Sequence, residues 1–448
     1  MTHLIGTVRG HALRHGMAAV RRIASLCLCA TAAIGAQAAP TTQAAQTPDS
    51  VRSNTRVTVP IRQLARVIAS DSSILMDASA VRHLPGGGVI VNDTRKKQLV
   101  VFDSALTNPR VIADTSSNSP NPYGLRITGA SLIPYRGDST LFMDFDSQAF
   151  LVIDEHGAFA RVMAPVRASD LFYIGAGSTG SAAFDPQGRL WYRSVRRNPN
   201  NMMVMSGAAP AAETRTIMSQ PDSAPLMRMD FDRRTVDTVA LIKVAPQKEV
   251  HIRGPNFGTV FPLTNPLPQT DEWTMLPDGA IAIVRGHDYH VDILEPDGRM
   301  TTGPRLPFDW KRITREEKQA IVDSLKRQED ERQAKLPPPP PPPPGMPAFP
   351  RFRMDPVPAE DLPDFYPAVR QGQVRADPSG RIWILPATSK DAKAGLLYDV
   401  VDREGRLVER VQLPQGRTLL GFGPDGMLYL NHVRSFNKST LERAWVAR

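Results

Sequence analysis

The sequence repeats one pattern six times: a glycine-containing turn, an apolar strand, a polar connection and a second strand. The clearest copy is residues 376–414, ADPSGRIWILPATSKDAKAGLLYDVVDREGRLVERVQLP. DPSG and DREG are turns, because glycine accepts a positive φ at the last position and proline presets φ at the second position of DPSG. The strands after them are rich in β-branched and aromatic residues. The other five copies begin near residues 84, 133, 184, 276 and 422.

Five copies are followed by a further apolar strand, so that each repeat predicts a four-stranded antiparallel sheet. These strands are at residues 111–112, 161–163, 239–244, 305–308 and 410–413. The last copy lacks one, and residues 55–60, TRVTVP, resemble the missing strand. The sequence therefore predicts an all-β fold, a six-bladed β-propeller closed by an N-terminal strand.

Residues 1–38 have the pattern of a signal peptide. Four arginines precede an apolar run at 23–34, which is too short to span a membrane, and Ala36-Gln-Ala38 is a small-x-small cleavage site. We expect export to the periplasm or to the outside of the cell; both remain open. Cys27 and Cys29 lie within this leader, so the mature chain is expected to have no disulfide, zinc thiolate or cysteine nucleophile.

The rest of the chain divides into a flexible lead-in at 39–54 and the propeller at 55–448. Residues 196–225 and 245–269 are predicted to be irregular. A larger insertion at 309–367 contains a capping box, Thr314 to Glu317, that predicts a charged helix ending near Lys335. Eight prolines at 337–344 then predict a polyproline II rod of roughly 25 Å, which is either a recognition arm or a solvated spacer.

Strand order in a propeller places the second-to-third connections of all sheets on one face, and here these connections are basic. We take their side chains as the candidate binding residues: Arg95, Lys96, Lys97, Arg193, Arg196, Arg197, Arg285, His287, Lys390 and Arg434. The third-to-fourth turns on the opposite face are acidic, as in Asp402 and Glu404. The basic face predicts binding of an anionic partner; the alternative is ordinary solubilising charge.

Several functional classes have no support in the sequence. P-loop, dinucleotide and G-x-S-x-G motifs are absent. Aromatic residues make up only 6% of the chain, and those in strands alternate with apolar positions, which is typical of core and not of a nucleic-acid stacking platform. The single H-x-x-H, His287 to His290, falls in a hairpin, where this spacing does not supply a metal site. We therefore predict no cofactor, no nucleic-acid partner and no membrane span.

At the level of the repeats, the chain resembles exported bacterial propellers of the NHL-repeat and TolB-like kind. The residues that carry this resemblance are LPGGGVIVNDTRKKQLVVFD and VVDREGRLVERVQLP. Such propellers serve chiefly as interaction platforms. The resemblance implies a non-catalytic binding module for a protein or an anionic envelope component; a structural envelope protein without a single ligand is a further alternative.

A second resemblance, to gluconolactonase and regucalcin-like propellers, implies an axial-metal-dependent hydrolase or lactonase. Those enzymes hold a divalent cation with acidic and amide side chains where the innermost strands begin. In this chain only the fourth of these positions is acidic, and Arg375 would oppose a cation. This alternative assigns the metal to Asp271, Glu272 and His287.

Overall fold

The computed structural model describes residues 59–70, 74–116, 123, 131–175, 180–195, 214–254, 257–337, 351–391 and 394–447. The predicted leader, the lead-in at 39–54 and all of the proline run except Pro337 lie outside these ranges. In the described part of the chain, no helix is long and apolar enough to cross a membrane.

Strands dominate the described residues. In chain order they are β1 (Ile61–Arg62), β2 (Leu64–Ala69), β3 (Ala78–His83), β4 (Val89–Asp93), β5 (Gln98–Phe102), β6 (Arg110–Ala113), β7 (Leu132–Pro134), β8 (Thr140–Asp144), β9 (Ala149–Ile153), β10 (Phe159–Met163), β11 (Ala183–Phe184), β12 (Leu190–Arg193), β13 (Thr214–Ser219), β14 (Ser223–Asp230), β15 (Thr235–Lys243), β16 (Lys248–Gly254), β17 (Phe257–Pro262), β18 (Glu272–Met275), β19 (Ile281–Arg285), β20 (His290–Leu294), β21 (Met300–Thr302), β22 (Val369–Ala376), β23 (Ile382–Pro386), β24 (Leu397–Val401), β25 (Leu407–Gln412), β26 (Arg417–Phe422), β27 (Met427–Ser435) and β28 (Lys438–Val446). Two α-helices, α1 (Leu171–Gly175) and α2 (Arg315–Lys335), and 3-10 turns at Ala168–Asp170, Ala359–Asp361 and Ala387–Asp391 complete the elements.

Six sheets of four or five strands correspond to the six sequence repeats. Sheet 1 is β3–β6, sheet 2 is β7–β10, sheet 3 is β11, β12, β14 and β15, sheet 4 is β18–β21, sheet 5 is β22–β25 with β1, and sheet 6 is β26–β28 with β2. Neighbouring strands are antiparallel except β1, which runs parallel to β25. The first strand of each repeat is the inner edge of its sheet, as the repeat pattern predicts.

The turn that opens each repeat is closed by the same backbone hydrogen bond in all six sheets. The amide before the turn donates to the carbonyl four residues later, as from Leu84 to Gly88 and from Asp377 to Arg381. The turn glycine has a positive φ in every copy, for example +82° at Gly87 and +83° at Gly380. This is the conformation that favours glycine, and it confirms the sequence alignment of the repeats.

Sheets 3 and 5 strengthen this turn with a buried carboxylate. In DPQGRLW, Asp185 Oδ2 accepts hydrogen bonds from Trp191 Nε1 at 2.9 Å and from Arg189 Nε at 2.7 Å. Asp377 makes the same two contacts with Trp383 and Arg381 in DPSGRIW. Each carboxylate thus ties its turn to a tryptophan that is buried between sheets.

Apolar clusters join the six sheets in cyclic order. One cluster spans sheets 1, 2 and 3, and others join sheet 3 to 4, sheet 4 to 5, sheet 5 to 6 and sheet 6 to 1. Each sheet therefore buries apolar side chains against the sheets before and after it. This packing, together with inner strands that share one side, is that of a β-propeller.

The N-terminal contribution to sheet 6 differs from the prediction. The strand that pairs with β28 is β2, from Leu64 to Ala69, and not residues 55–60. Residues 55–58 lie outside the described ranges, and Pro60 accepts a hydrogen bond from Arg410 in sheet 5. The N-terminal segment therefore touches two sheets in succession. The sequences TRVTVP and LARVIA have equally suitable apolar patterns, so the pattern alone could not show which of them forms the strand next to β28.

An accessory sheet was missed by the sequence analysis. Residues 196–225 and 245–269 were predicted to be irregular, yet they contribute β13, β16 and β17, with β16 in the centre. The hydrophobic pattern of these strands is weak because both faces of this small sheet are partly exposed. The fourth strand of sheet 4 is Met300–Thr302 and not residues 305–308. Residues 305–308 connect this strand to the following segment, and their apolar side chains pack into the cluster between sheets 4 and 5.

Helix α2 confirms the predicted capping box. The Thr314 side chain accepts from the Glu317 amide at 3.2 Å, and the Glu317 carboxylate accepts from the Thr314 amide at 2.8 Å. The narrow apolar stripe buries Val322 against Leu263 from the accessory sheet and Val357 from the returning chain. The helix, the accessory sheet and residues 351–362 thus form one packed unit.

We expect the buried carboxylate of Asp185 to contribute more to the free energy of unfolding than an equivalent carboxylate at the surface. Asp185→Ala should lower the free energy of unfolding by about 3 kcal/mol, because it leaves the buried Trp191 N–H without its acceptor. The matched control is Asp402→Ala, which removes a similar turn carboxylate without a tryptophan, and should cost less than about 1 kcal/mol. Denaturant unfolding followed by tryptophan fluorescence measures both; equal losses would contradict this explanation.

Candidate functional site: the axial channel

A cavity of ≈750 Å³ lies where the inner strands of all six sheets meet. Its lining comes from residues 79–83, 131, 132, 134, 181–184, 274–277, 371–373, 375–378 and 420–422. Because every sheet contributes its first strand, this cavity is the axial channel of the propeller. It is the one place in the described fold where side chains from all the repeats converge.

Two arginines occupy equivalent positions in this channel. Counting back from the turn amide, Arg82 in sheet 1 and Arg375 in sheet 5 each lie two residues before it. The corresponding residues in the other sheets are uncharged: Ile133, Ala183, Thr274 and Gly421. The repeat therefore places two cations at one level of an otherwise neutral ring of residues.

Arg375 reaches across the channel. Its guanidinium donates a hydrogen bond to Ser181 Oγ, which belongs to the inner edge of sheet 3, at 3.2 Å. Burial lowers the pKa of Arg375 from its usual value, with a small opposing effect of the Tyr398 phenol. The side chain remains a cation at neutral pH, because arginine is not deprotonated in proteins.

Arg82 is held near the turn end of the same channel. One terminal nitrogen donates to the His83 carbonyl at 2.7 Å, while Nε is buried and has no hydrogen-bond partner among the described residues. Burial lowers its pKa, and the more distant Asp138 carboxylate partly offsets this. The Nε donor is therefore unsatisfied inside the protein, and the side chain lines the cavity.

The one carboxylate of the channel lining is already occupied. Asp377 accepts from Trp383 Nε1 and Arg381 Nε, each at 3.0 Å, and from two turn amides. It therefore neutralises Arg381 and not the channel arginines. Among the described lining residues, the charges of Arg82 and Arg375 are not compensated.

His83 follows Arg82 at the end of β3 and is fixed by two residues of sheet 6. Its Nδ1 lies 2.8 Å from the Tyr429 hydroxyl, which also accepts from an Arg443 nitrogen at 3.3 Å. Tyr429 is fully buried, and Arg443 can only donate. Because the buried phenol hydrogen has no other acceptor among the described residues, we assign it to the bond with Nδ1, so that neutral His83 carries its proton on Nε2, the ring nitrogen without a partner among those residues.

The electrostatics keep this imidazole neutral. Burial lowers the pKa of His83, and the positive charges of Arg443 and Arg82 lower it further. Burial also raises the pKa of Tyr429, despite the opposing effect of Arg443, so the phenol keeps its proton. The arrangement therefore places an uncharged imidazole N–H donor near the guanidinium groups of Arg82 and Arg443.

The predicted basic face is only partly a free surface. Arg95 stacks on the exposed Phe436 ring, 4.4 Å from its centroid, and Lys96 donates to a carbonyl. His287 is exposed at a hairpin, Arg434 is about half exposed beside Glu442, and Lys97 is also at a turn. Arg196 and Arg197 lie outside the described residues, as does the side chain of Lys390.

Arg193 and Arg285 instead join the acidic residues of the competing metal hypothesis. Arg285 pairs with Asp271 and Asp292, each at 2.7 Å. Arg193 is buried and lies 3.8 Å from Glu272. Arg193 and Arg285 were predicted to belong to the basic face, and Asp271 and Glu272 to a separate metal site. The structure instead places these four side chains in one cluster of paired charges. Its charges pair internally, so Arg193 is not part of a contact surface.

The carboxylates of Asp271 and Glu272, which were predicted as alternative metal ligands with His287, are engaged by protein groups. Both Asp271 oxygens accept hydrogen bonds, from Arg285 and the amides of Gly286 and Lys243. Glu272 accepts from Thr270 and the Gly372 amide, and burial raises its pKa although Arg193 opposes this. Among the described residues no group of three His, Cys, Asp or Glu side chains could hold a metal ion. The acidic donor set of a gluconolactonase-like cation site is not matched here.

The sequence analysis noted Arg375 but missed Arg82 and His83 as its channel companions. A signal was present, because the aligned turns RHLPGG and RADPSG place both arginines at the same repeat position. His83 could not be found in this way, since its role depends on Tyr429, 346 residues later in the chain.

No protein-family model and no curated protein matches the sequence. Similar solved structures include a streptogramin B lyase, with 10% identity over 85% of this chain and 97% of that chain and a TM-score of 0.39. A gluconolactonase from Xanthomonas campestris has 10% identity over 86% and 98%, with a TM-score of 0.38. A member of the DUF4221 family from Bacteroides vulgatus has 9% identity over 86% and 97%, with a TM-score of 0.44.

These similar structures are propeller-type proteins, as is this chain. They include a lyase and a gluconolactonase, which favours the catalytic alternative over the predicted non-catalytic binding module. At this identity and TM-score they assign no residue of this chain. The functional residues have to be identified from the channel itself.

We expect the His83 pKa to respond to its cationic neighbours. Arg82→Gln should raise it toward the ordinary value of about 6.5, because one repelling charge is removed. The control Arg95→Gln lies outside the channel and should leave it unchanged. Imidazole NMR resonances, assigned by comparison with a His83→Gln variant, measure the titration midpoint. An unchanged or lower midpoint in Arg82→Gln would contradict the described electrostatics.

Proposed function

We propose that this protein is an enzyme whose active site is the axial channel and whose reaction is hydrolysis of a carbonyl compound, an ester or a lactone. The observations that support this most are the His83 imidazole, which Tyr429 fixes, and the positive charge of Arg82, which lowers the pKa of that imidazole. Uncharged N–H groups and cations are the groups that stabilise an oxyanion formed from a carbonyl. A neutral imidazole can serve as such a donor.

In this reaction the nucleophile is water. No serine or threonine hydroxyl of the described residues is hydrogen-bonded to His83, so the channel offers no activated side-chain nucleophile. Water attacks the carbonyl carbon, and the carbonyl electron pair moves to oxygen, where Nε2–H of His83 and Arg82 stabilise it. The tetrahedral intermediate then expels the ester oxygen, which receives the proton lost by the water, giving an acid and an alcohol.

The metal ion of the original alternative is not part of this proposal. Its designated carboxylates, Asp271 and Glu272, are engaged by Arg285, Arg193 and backbone amides. The channel provides positive charge at Arg82 and Arg375 instead. A cation would be repelled from this position, whereas a developing oxyanion would be attracted to it.

A hydrolysis assay tests the proposal. With p-nitrophenyl acetate and glucono-δ-lactone as probes, His83→Gln should lower kcat by about 100-fold or more, the cost of removing one oxyanion donor. Tyr429→Phe should lower kcat by less, because the His83 imidazole remains but the phenol no longer fixes its tautomer. EDTA should leave the rate of the wild-type protein unchanged.

The matched control is His156→Gln, which removes an exposed histidine from a turn in sheet 2 and should retain full activity. Hydrolysis that survives in His83→Gln, or is abolished by EDTA, would overturn the assignment. The absence of hydrolysis of either probe by the wild-type protein would count against carbonyl hydrolysis.

We also propose that the six sheets are the six blades of a closed ring. The five apolar clusters support this, since they connect sheet 6 back to sheet 1 as well as each sheet to the next. The finer likeness to NHL-repeat and TolB-like propellers remains a prediction from the sequence repeats.

We further propose that the protein is exported, on the strength of the pattern at residues 1–38. The mature chain should begin at Ala39, after the small-x-small site. Mass spectrometry of the intact protein from periplasmic and culture-medium fractions would show this N-terminus and its compartment. Ala38→Asp, which places a charge at the cleavage site, should leave the leader attached. Finding only the uncleaved chain in the cytoplasm would refute the proposal.

A further inference from the structure

We infer that the axial channel binds an oxyanion, the carboxylate or phosphate group of a small organic molecule, between Arg375 and Arg82. This inference deepens the proposed function, because it names the substrate class of the same site. It rests on the placement of two uncompensated guanidinium groups on one cavity whose walls come from all six sheets.

The first step is the absence of an ion pair to either channel arginine. Among the described residues, neither Arg82 nor Arg375 forms an ion pair, whereas most other partly buried arginines do, as Arg285 does with Asp271 and Arg410 with Asp399. The fold therefore pairs most of its partly buried arginines with a carboxylate. Arg443 also lacks a carboxylate partner, but the carbonyls of Ser104 and Gly87 and the Tyr429 hydroxyl accept its hydrogen bonds. Among the described residues, Arg82 and Arg375 each have a single acceptor.

The second step is energetic. A cation that is removed from bulk water without a partner costs free energy, and burial lowers the pKa of both side chains. A bound oxyanion would offset this cost through charge-assisted hydrogen bonds.

The third step concerns the shape and polarity of the rest of the channel. Its ≈750 Å³ can hold a molecule of metabolite size. Hydroxyl and amide groups from Ser131, Ser181 and Gln373 line the wall beside apolar residues such as Phe184. These groups can hydrogen-bond to the uncharged part of a polar molecule. The channel therefore suits a polar organic acid or phosphate better than an inorganic ion alone.

Ligand binding to the full-length protein tests this inference by thermal shift and isothermal titration calorimetry. The probes are gluconate for a carboxylate, glucose 6-phosphate for a phosphate and glucose as the neutral analogue. Gluconate or glucose 6-phosphate should stabilise the wild-type protein and bind with a measurable Kd, and glucose should not. Whichever anion binds more tightly identifies the source of the oxyanion.

Arg375→Gln and Arg82→Gln should each weaken binding of that anion by about 10- to 100-fold, the expected cost of one charge-assisted contact. Arg375→Lys keeps the charge and should bind more tightly than Arg375→Gln. The control Arg95→Gln should bind like the wild type. Melting without ligand establishes that each variant is folded.

Equal stabilisation by glucose, or anion binding that persists in an Arg82→Gln, Arg375→Gln double variant, would overturn the inference. So would the failure of both anions to bind. His83→Gln separates the two proposals, because it should bind the anion normally while losing turnover. Anion binding without any hydrolysis would refute only the proposed reaction, and hydrolysis without anion binding would refute only this inference.

Discussion

Face-to-face packing of successive sheets is the constraint on which the rest of this structure depends. Each sheet is covered on both faces, so the buried tryptophans and leucines of one repeat need the next repeat to complete their environment. The inner strands consequently converge, and their first residues become the wall of one channel. The site therefore depends on this packing between successive sheets.

Within that framework, the chain treats arginine in two different ways. At turns and between sheets, arginines pair with buried carboxylates, as in the Asp185–Arg189 contact and in the Arg285 cluster. In the channel, Arg82 and Arg375 have no such partner among the described residues. The same residue type thus stabilises the sheets in one setting and provides unsatisfied charge in the other, and this contrast is what distinguishes a structural ion pair from a binding group.

Catalysis and binding occupy neighbouring parts of the channel in the two proposals. His83 is held by sheet 6 through Tyr429 and Arg443, while Arg375 is held by sheet 3 through Ser181. A substrate in the channel would therefore contact groups positioned by different sheets. Small adjustments between sheets would change the distance between the anion-binding arginine and the imidazole, so the rigidity of the ring matters to both functions.

The sequence by itself determined the repeats, the turns with their positive-φ glycines and the capping box of helix α2, because these depend on local conformational preference. The sequence could not show that β2, and not residues 55–60, pairs with β28, and it did not reveal the accessory sheet. Nor could it distinguish the arginines that pair with carboxylates from Arg82 and Arg375, which do not. Those outcomes depend on partners far away in the chain: Glu272 is 79 residues from Arg193, and Tyr429 is 346 from His83. Local patterns fix φ, ψ and strand alternation, whereas charge compensation is decided only when distant strands meet in the tertiary structure.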